Sequence, residues 1–143
     1  MPGMKLFVLL LAGCAVLTGC SSQSTHKLAS DLSRYHHIYV VHRLSDNHRL
    51  DELIVGELKI LGYDAACGPL TMLPDGVDAI ITYDDRWAWD FRSYLIEFSL
   101  EMHSNFTGKS LATGHYHQAS ALTKPPEDVV HEILAPLFKR ARP

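Results

Sequence analysis

Ile96-Glu97-Phe98-Ser99-Leu100-Glu101-Met102-His103 alternates apolar with polar residues without a break, Tyr94-Leu95 leads into it, and Asn105-Phe106-Thr107-Gly108-Lys109 follows it. Successive side chains of a strand point to opposite faces, so this stretch predicts a strand over 94–103 with one buried and one wet face. Tyr94, Ile96, Phe98, Leu100 and Met102 share the first face; Leu95, Glu97, Ser99, Glu101 and His103 share the second. Asn105 suits the opening of a type I turn and Gly108 the left-handed position of a bulge, which predicts a three-residue hairpin loop pairing Asn105 with Lys109. The register follows. Met102 faces Ala112, Leu100 faces Gly114 and Phe98 faces Tyr116 in the core, while Glu101 meets Thr113, Ser99 meets His115 and Glu97 meets His117 on the wet face. A slip of one residue would drive His115 and His117 into the core, so the pairing is strongly specified.

Upstream, Ile38-Tyr39-Val40-Val41 is a β-branched and aromatic run suited to an interior strand. Leu50, Leu53, Ile54, Leu58 and Leu61 then form one apolar helical stripe, with Asp51, Glu52, Glu57 and Lys59 opposite it. Ser45 or Asp46 can cap that helix and Gly62 can end it. Tyr63 to Cys67 is a short second strand, which makes a strand-helix-strand unit with a right-handed crossover. Val77 to Asp84 supplies a third strand after the turn-rich segment 68–76. Pro125 and Pro126 open a final helix with its stripe on Val130, Ile133, Leu134 and Leu137, and Pro136 should kink its last turn. The elements predict an α/β fold bordering on α+β: a five-stranded mixed sheet and two packing helices.

The chain begins differently. Lys5 gives a small positive region, Leu6 to Val16 an apolar one, and Thr18-Gly19 the small residues a signal peptidase needs, which together read as a secretory signal. Leu17-Thr18-Gly19-Cys20 resembles the lipobox of bacterial lipoproteins. That resemblance implies a diacylglyceryl thioether on Cys20, cleavage before it and acylation of the new amino group. About 14 apolar residues fall short of the roughly 20 needed to cross a bilayer. The division expected is therefore a signal peptide over 1–19, a lipidated N-terminus with a polar tether over 20–34, and one α/β domain over 35–143. Lipoproteins held in the inner membrane commonly carry Asp after the lipidated cysteine. Ser21 stands there instead, which implies the outer membrane, facing the periplasm.

Composition narrows the function classes. The 143 residues carry 13 basic and 16 acidic side chains, a formal charge of −3, with no basic stripe for nucleic acid and no polybasic patch for anionic lipid. Membrane contact then rests on acylation. Cys14 leaves with the signal and Cys20 is acylated, so Cys67 alone remains, and its place after Ala65-Ala66 favours burial.

The candidate chemistry is sparse. Nine histidines invite a metal reading, yet no HExxH or CxxC spacing occurs. His115, His117 and Glu97 are the weak candidate ligands, against the ordinary reading as exposed cross-strand neighbours. There is no GxSxG elbow, no calcium loop around Asp84, Asp85 and Asp90, no Gly-rich phosphate loop and no dinucleotide fingerprint. No enzyme activity and no cofactor are expected. Both tryptophans fall in Tyr83-Asp84-Asp85-Arg86-Trp87-Ala88-Trp89-Asp90, at i and i+2, and share a face in extended chain. Tyr83, Trp87, Trp89 and Tyr94 are thus either the end of the core or an exposed anchor for a partner or a lipid headgroup region.

The lipobox, the strand-helix-strand start, the Tyr-x3-Trp-x-Trp-Asp-x3-Tyr-Leu segment, the Asn-x2-Gly-Lys hairpin and the Pro-Pro-Glu helix together resemble small proteobacterial lipoproteins. Their domain is similar to the anticodon-binding-like fold of the TolB amino-terminal domain. The resemblance implies strand order 2-1-3-4-5 with strand 4 antiparallel to its neighbours, and it brings no catalytic residues. A non-enzymatic envelope lipoprotein that binds or assembles with another envelope protein is expected. The alternative is a periplasmic small-ligand or metal binder.

Overall fold

The computed structural model describes residues 21–29, 31–118 and 124–139. The expected signal peptide and Cys20 lie outside these. Among the described residues six strands form one mixed sheet: β1 (Ser21–Lys27), β2 (His37–Val41), β3 (Asp64–Gly68), β4 (Ala79–Trp89), β5 (Ser93–Ser104) and β6 (Ser110–Gln118). Their order is β1-β6-β5-β4-β2-β3. β2 runs parallel to both β3 and β4, and the remaining pairs are antiparallel. Two α-helices lie among the described residues, α1 (Leu50–Ile60) and α2 (Pro126–Phe138).

Five strands were expected, and the sixth is a correction. Ser21–Lys27 has no apolar period and reads as a solvated tether, yet all seven of its residues pair with β6, from Ser21 opposite Gln118 to Lys27 opposite Ala112. An edge strand needs little burial of its own, because the neighbouring strand supplies its hydrogen-bond partners. Leu32, also placed in the tether by sequence, is buried in the core.

The helices contact each other and cover one face of the sheet. Ile38, Val40, Ala79, Ile81, Phe98, Leu100, Met102 and Tyr116 meet Leu50, Ile54, Leu58, Val130, Ile133 and Leu134 in a single cluster. Gly114 makes the α2 contact close: a Cβ there would stand 2.4 Å from Ile133 Cγ2. Gly62, with φ of +94°, ends α1, where its N–H and that of Tyr63 donate to Lys59 and Leu58 carbonyls.

The β5–β6 pairing matches residue by residue from Glu97–His117 to Met102–Ala112. At its tip the loop holds four residues rather than three. Ser104 N–H donates to the Lys109 carbonyl, Gly108 N–H to the Ser104 carbonyl, and Gly108 has φ of +67°. A register shift between Met102 and His103 absorbs the extra residue.

Candidate functional site

The third strand was expected to stop at Asp84. It continues as β4 to Trp89 and forms a long hairpin with β5. A bulge interrupts the ladder: Arg86 pairs with Glu97 but Trp87 pairs with Leu95, leaving Ile96 as the extra residue on β5. Beyond that point the faces of β5 exchange. Leu95 joins the core in place of Tyr94, which corrects the predicted alternation.

The bulge sets the four aromatics of the candidate surface apart. Tyr83 is only 5 % exposed and donates its hydroxyl to Asp46 Oδ2 at 2.7 Å, so it belongs to the interior. Trp87 is half-buried against the core; its Nε1–H donates to Asp85 Oδ2 at 2.7 Å, and its ring stacks on His48 at 3.6 Å between centroids. Tyr94 is partly exposed beside Ala88 on the neighbouring strand. Trp89 is 73 % exposed, and Phe91 in the turn, a residue that sequence reasoning passed over, is 93 % exposed. Phe91 also has φ of +59°, a region that costs a non-glycine residue about 1 kcal/mol. Trp89 and Phe91 together make an exposed aromatic tip.

The segment between β2 and α1 is locked to the base of this hairpin. Arg43 bonds both Asp84 and Asp85. Asp46 accepts from the backbone N–H of His48 and Leu50 at 2.8 Å each, and from Asp51 N–H at 3.4 Å. It thus caps α1 from four residues before it, while Arg49 in the capping position makes no side-chain capping bond and instead pairs with Glu52. Burial raises the Asp46 carboxyl, but the hydrogen bonds from Tyr83 and the three backbone amides outweigh it and hold the group below its ordinary value. Burial and the same Asp46 bond push the Tyr83 phenol far above its ordinary range.

The row containing this site crosses four strands. Ser22 pairs with His117, His117 with Glu97, and Glu97 with Arg86. Ser21, paired with Gln118, lies one residue beyond Ser22 on the same side as the hairpin tip. From Arg86 to Trp89 the hairpin runs on for roughly 10 Å at about 3.3 Å per residue before its turn.

The face of the sheet away from the helices is polar. A shallow depression of ≈ 410 Å³ lies there among Ser24, His26, Thr82, Ser99, Glu101 and His115. His117 Nδ1 is 3.9 Å from Glu97 Oε1, and His115 pairs with Ser99 on one side and Ser24 on the other. Among the described residues no group of three His, Cys, Asp or Glu side chains is disposed to hold a metal ion. Cys67 is partly exposed rather than buried. Desolvation, with Asp51 adjacent, pushes its thiol up to about 11, so it remains protonated at neutral pH. Among the described residues no helix is long and apolar enough to cross a membrane.

No protein-family model matches the chain, and no curated protein matches it. Among solved structures the chain is similar to the PelC dodecamer from Paraburkholderia phytofirmans. One crystal form gives a TM-score of 0.65 at 14% identity, and a single-substitution variant in another gives 0.64 at 13%. In both, 85% of this chain and 100% of that chain are covered. This likeness shows a shared α/β fold. A minor lipoprotein from Acinetobacter baumannii matches at a TM-score of 0.36 and 10% identity, over 73% of this chain and 88% of that one.

Proposed function

We propose that the chain is a membrane-anchored envelope lipoprotein that acts without catalysis, by binding or assembling with another envelope component. The observation that carries this reading is the place of Cys20, which closes the Leu17-Thr18-Gly19-Cys20 lipobox and immediately precedes edge strand β1. Without a tether, acyl chains on Cys20 hold the sheet itself against the bilayer. Ser21 after the cysteine supports the outer membrane, facing the periplasm, as the address.

Two features support assembly. β1 and β3 are the edges of the sheet, and edge strands carry unpaired backbone donors and acceptors. The PelC structures are of a dodecamer, so self-association is the first assembly to test. A second reading, a periplasmic small-ligand or metal binder, rests on the depression beside exposed His115. The test is cellular fractionation of wild type and Cys20→Ala, with a photo-crosslinker at position 115. Loss of the variant from the envelope, and wild-type crosslinks to a protein or a second copy, support the first reading. Zinc uptake by calorimetry without crosslinks supports the second. A variant that stays in the envelope contradicts the lipid anchor.

A further inference from the structure

We infer that the β4–β5 hairpin tip, through Trp89 and Phe91, is a second membrane contact that enters the interface of the same bilayer that holds the Cys20 acyl chains. The inference rests on the lipoprotein reading and specifies its geometry.

Three observations converge. The first is direction. The chain before the described residues ends at Cys20, next to Ser21, and Ser21 pairs with Gln118 at the sheet end from which the hairpin projects. Ser21, which directly follows Cys20 in sequence, stands one residue past the Ser22–His117–Glu97–Arg86 row, whereas the hairpin continues past it through three more pairs, Trp87–Leu95, Ala88–Tyr94 and Trp89–Ser93, and then the turn. A lipid anchor on Cys20 therefore brings the hairpin tip to the membrane before the rest of the sheet.

The second is chemistry. Trp89 and Phe91 are both strongly exposed at that tip. Tryptophan combines a large apolar ring with an N–H donor, which suits the headgroup boundary where aromatic side chains concentrate. Phe91 makes no core contribution and holds a left-handed backbone conformation, where glycine or asparagine is the easier residue. The third is rigidity. The hairpin base is pinned by the Arg43 bonds to Asp84 and Asp85 and by the Trp87 stack on His48. The tip is thus presented on a fixed support.

A bilayer contact of this kind adds apolar burial to an existing acyl anchor, and anchoring strengthens when two signals act together. It also fixes the orientation of the domain, which a single point of attachment leaves free to rotate.

The experiment uses the purified lipidated protein in phosphatidylethanolamine–phosphatidylglycerol vesicles, with and without brominated acyl chains, and reads tryptophan fluorescence. Wild type is expected to show bromolipid quenching and a blue-shifted emission on vesicle insertion. Trp89→Phe, which leaves Trp87 as the remaining indole, is expected to lose the quenching. Phe91→Gly is expected to fold at least as well, because it relieves the left-handed conformation, and to reduce the quenching of Trp89. The mass of the Cys20 peptide is read from the same preparation. Acylated Cys20 with Trp89 still open to aqueous iodide overturns the hairpin contact and leaves the lipoprotein reading standing. Protection from iodide without bromolipid quenching points to a protein partner at the tip and also overturns it. Unacylated Cys20 overturns both.

Discussion

Asp46→Ala is the sharpest probe of how the loop after β2 is held. The carboxylate accepts from the N–H groups of His48, Leu50 and Asp51 and from the Tyr83 hydroxyl. Losing a helix cap costs about 1 kcal/mol. The Tyr83 hydroxyl, left buried without its acceptor, adds about 2 kcal/mol. The variant should therefore lose about 3 kcal/mol in urea unfolding, with an unchanged denaturant slope if both states keep their extent. Tyr83→Phe alone should cost about 1.5 kcal/mol, the lower end of the range for a bond to a charged group. The double variant should cost less than the sum by about 1–2 kcal/mol, because both single changes remove the same bond. Additivity within about 0.3 kcal/mol would refute the Asp46–Tyr83 coupling. The pH dependence has a definite sign. Because the folded carboxyl is held below its unfolded value of about 4, its contribution is complete above that value and fades as pH falls through the folded one. The gap between wild type and Asp46→Ala should thus narrow in acid.

Further outcomes follow from the packing and from the edge strand. Gly114→Ala should destabilise by about 1–3 kcal/mol, since its Cβ would meet Ile133 Cγ2 at 2.4 Å; thermal unfolding checks this, and Ile133→Ala in the same chain should recover part of the loss. Cys67 should react slowly with a thiol reagent at pH 7 and faster as pH approaches about 11, which a rate–pH profile reads directly. Hydrogen exchange across residues 21–27 should show protected amides where β1 donates to β6, whereas uniformly fast exchange would return the segment to a tether.

The sequence made some of this legible and concealed the rest for identifiable reasons. Period-two alternation in 96–103 fixed the pairing with β6, because only one register buries Phe98, Leu100 and Met102 together. β1 was concealed because Ser21-Ser22-Gln23-Ser24-Thr25-His26-Lys27 carries no apolar pattern, and an edge strand with little buried side chain leaves none to read. The bulge at Ile96 was equally silent: nothing in Arg86-Trp87 or Leu95-Ile96 marks the extra residue. Its effect was to move Tyr94 off the core face and Leu95 onto it. Pairing Trp87 with Trp89 by their i, i+2 spacing was geometrically sound, but only Trp87 lies over the core. Asp46 was legible as a cap of α1, but its bond from the Tyr83 hydroxyl, 37 residues away in sequence, and the His48 stack on Trp87, 39 apart, follow from no local rule.

The central claim is the proposal that Cys20, which immediately precedes edge strand β1 in sequence, is the acylated first residue of the mature chain. The most direct measurement is mass spectrometry of the N-terminal peptide of protein purified from the cell envelope. The account predicts a peptide beginning at Cys20 that carries a diacylglyceryl group and an amide-linked acyl chain. A peptide that begins elsewhere, or one with an unmodified Cys20 thiol, would contradict it.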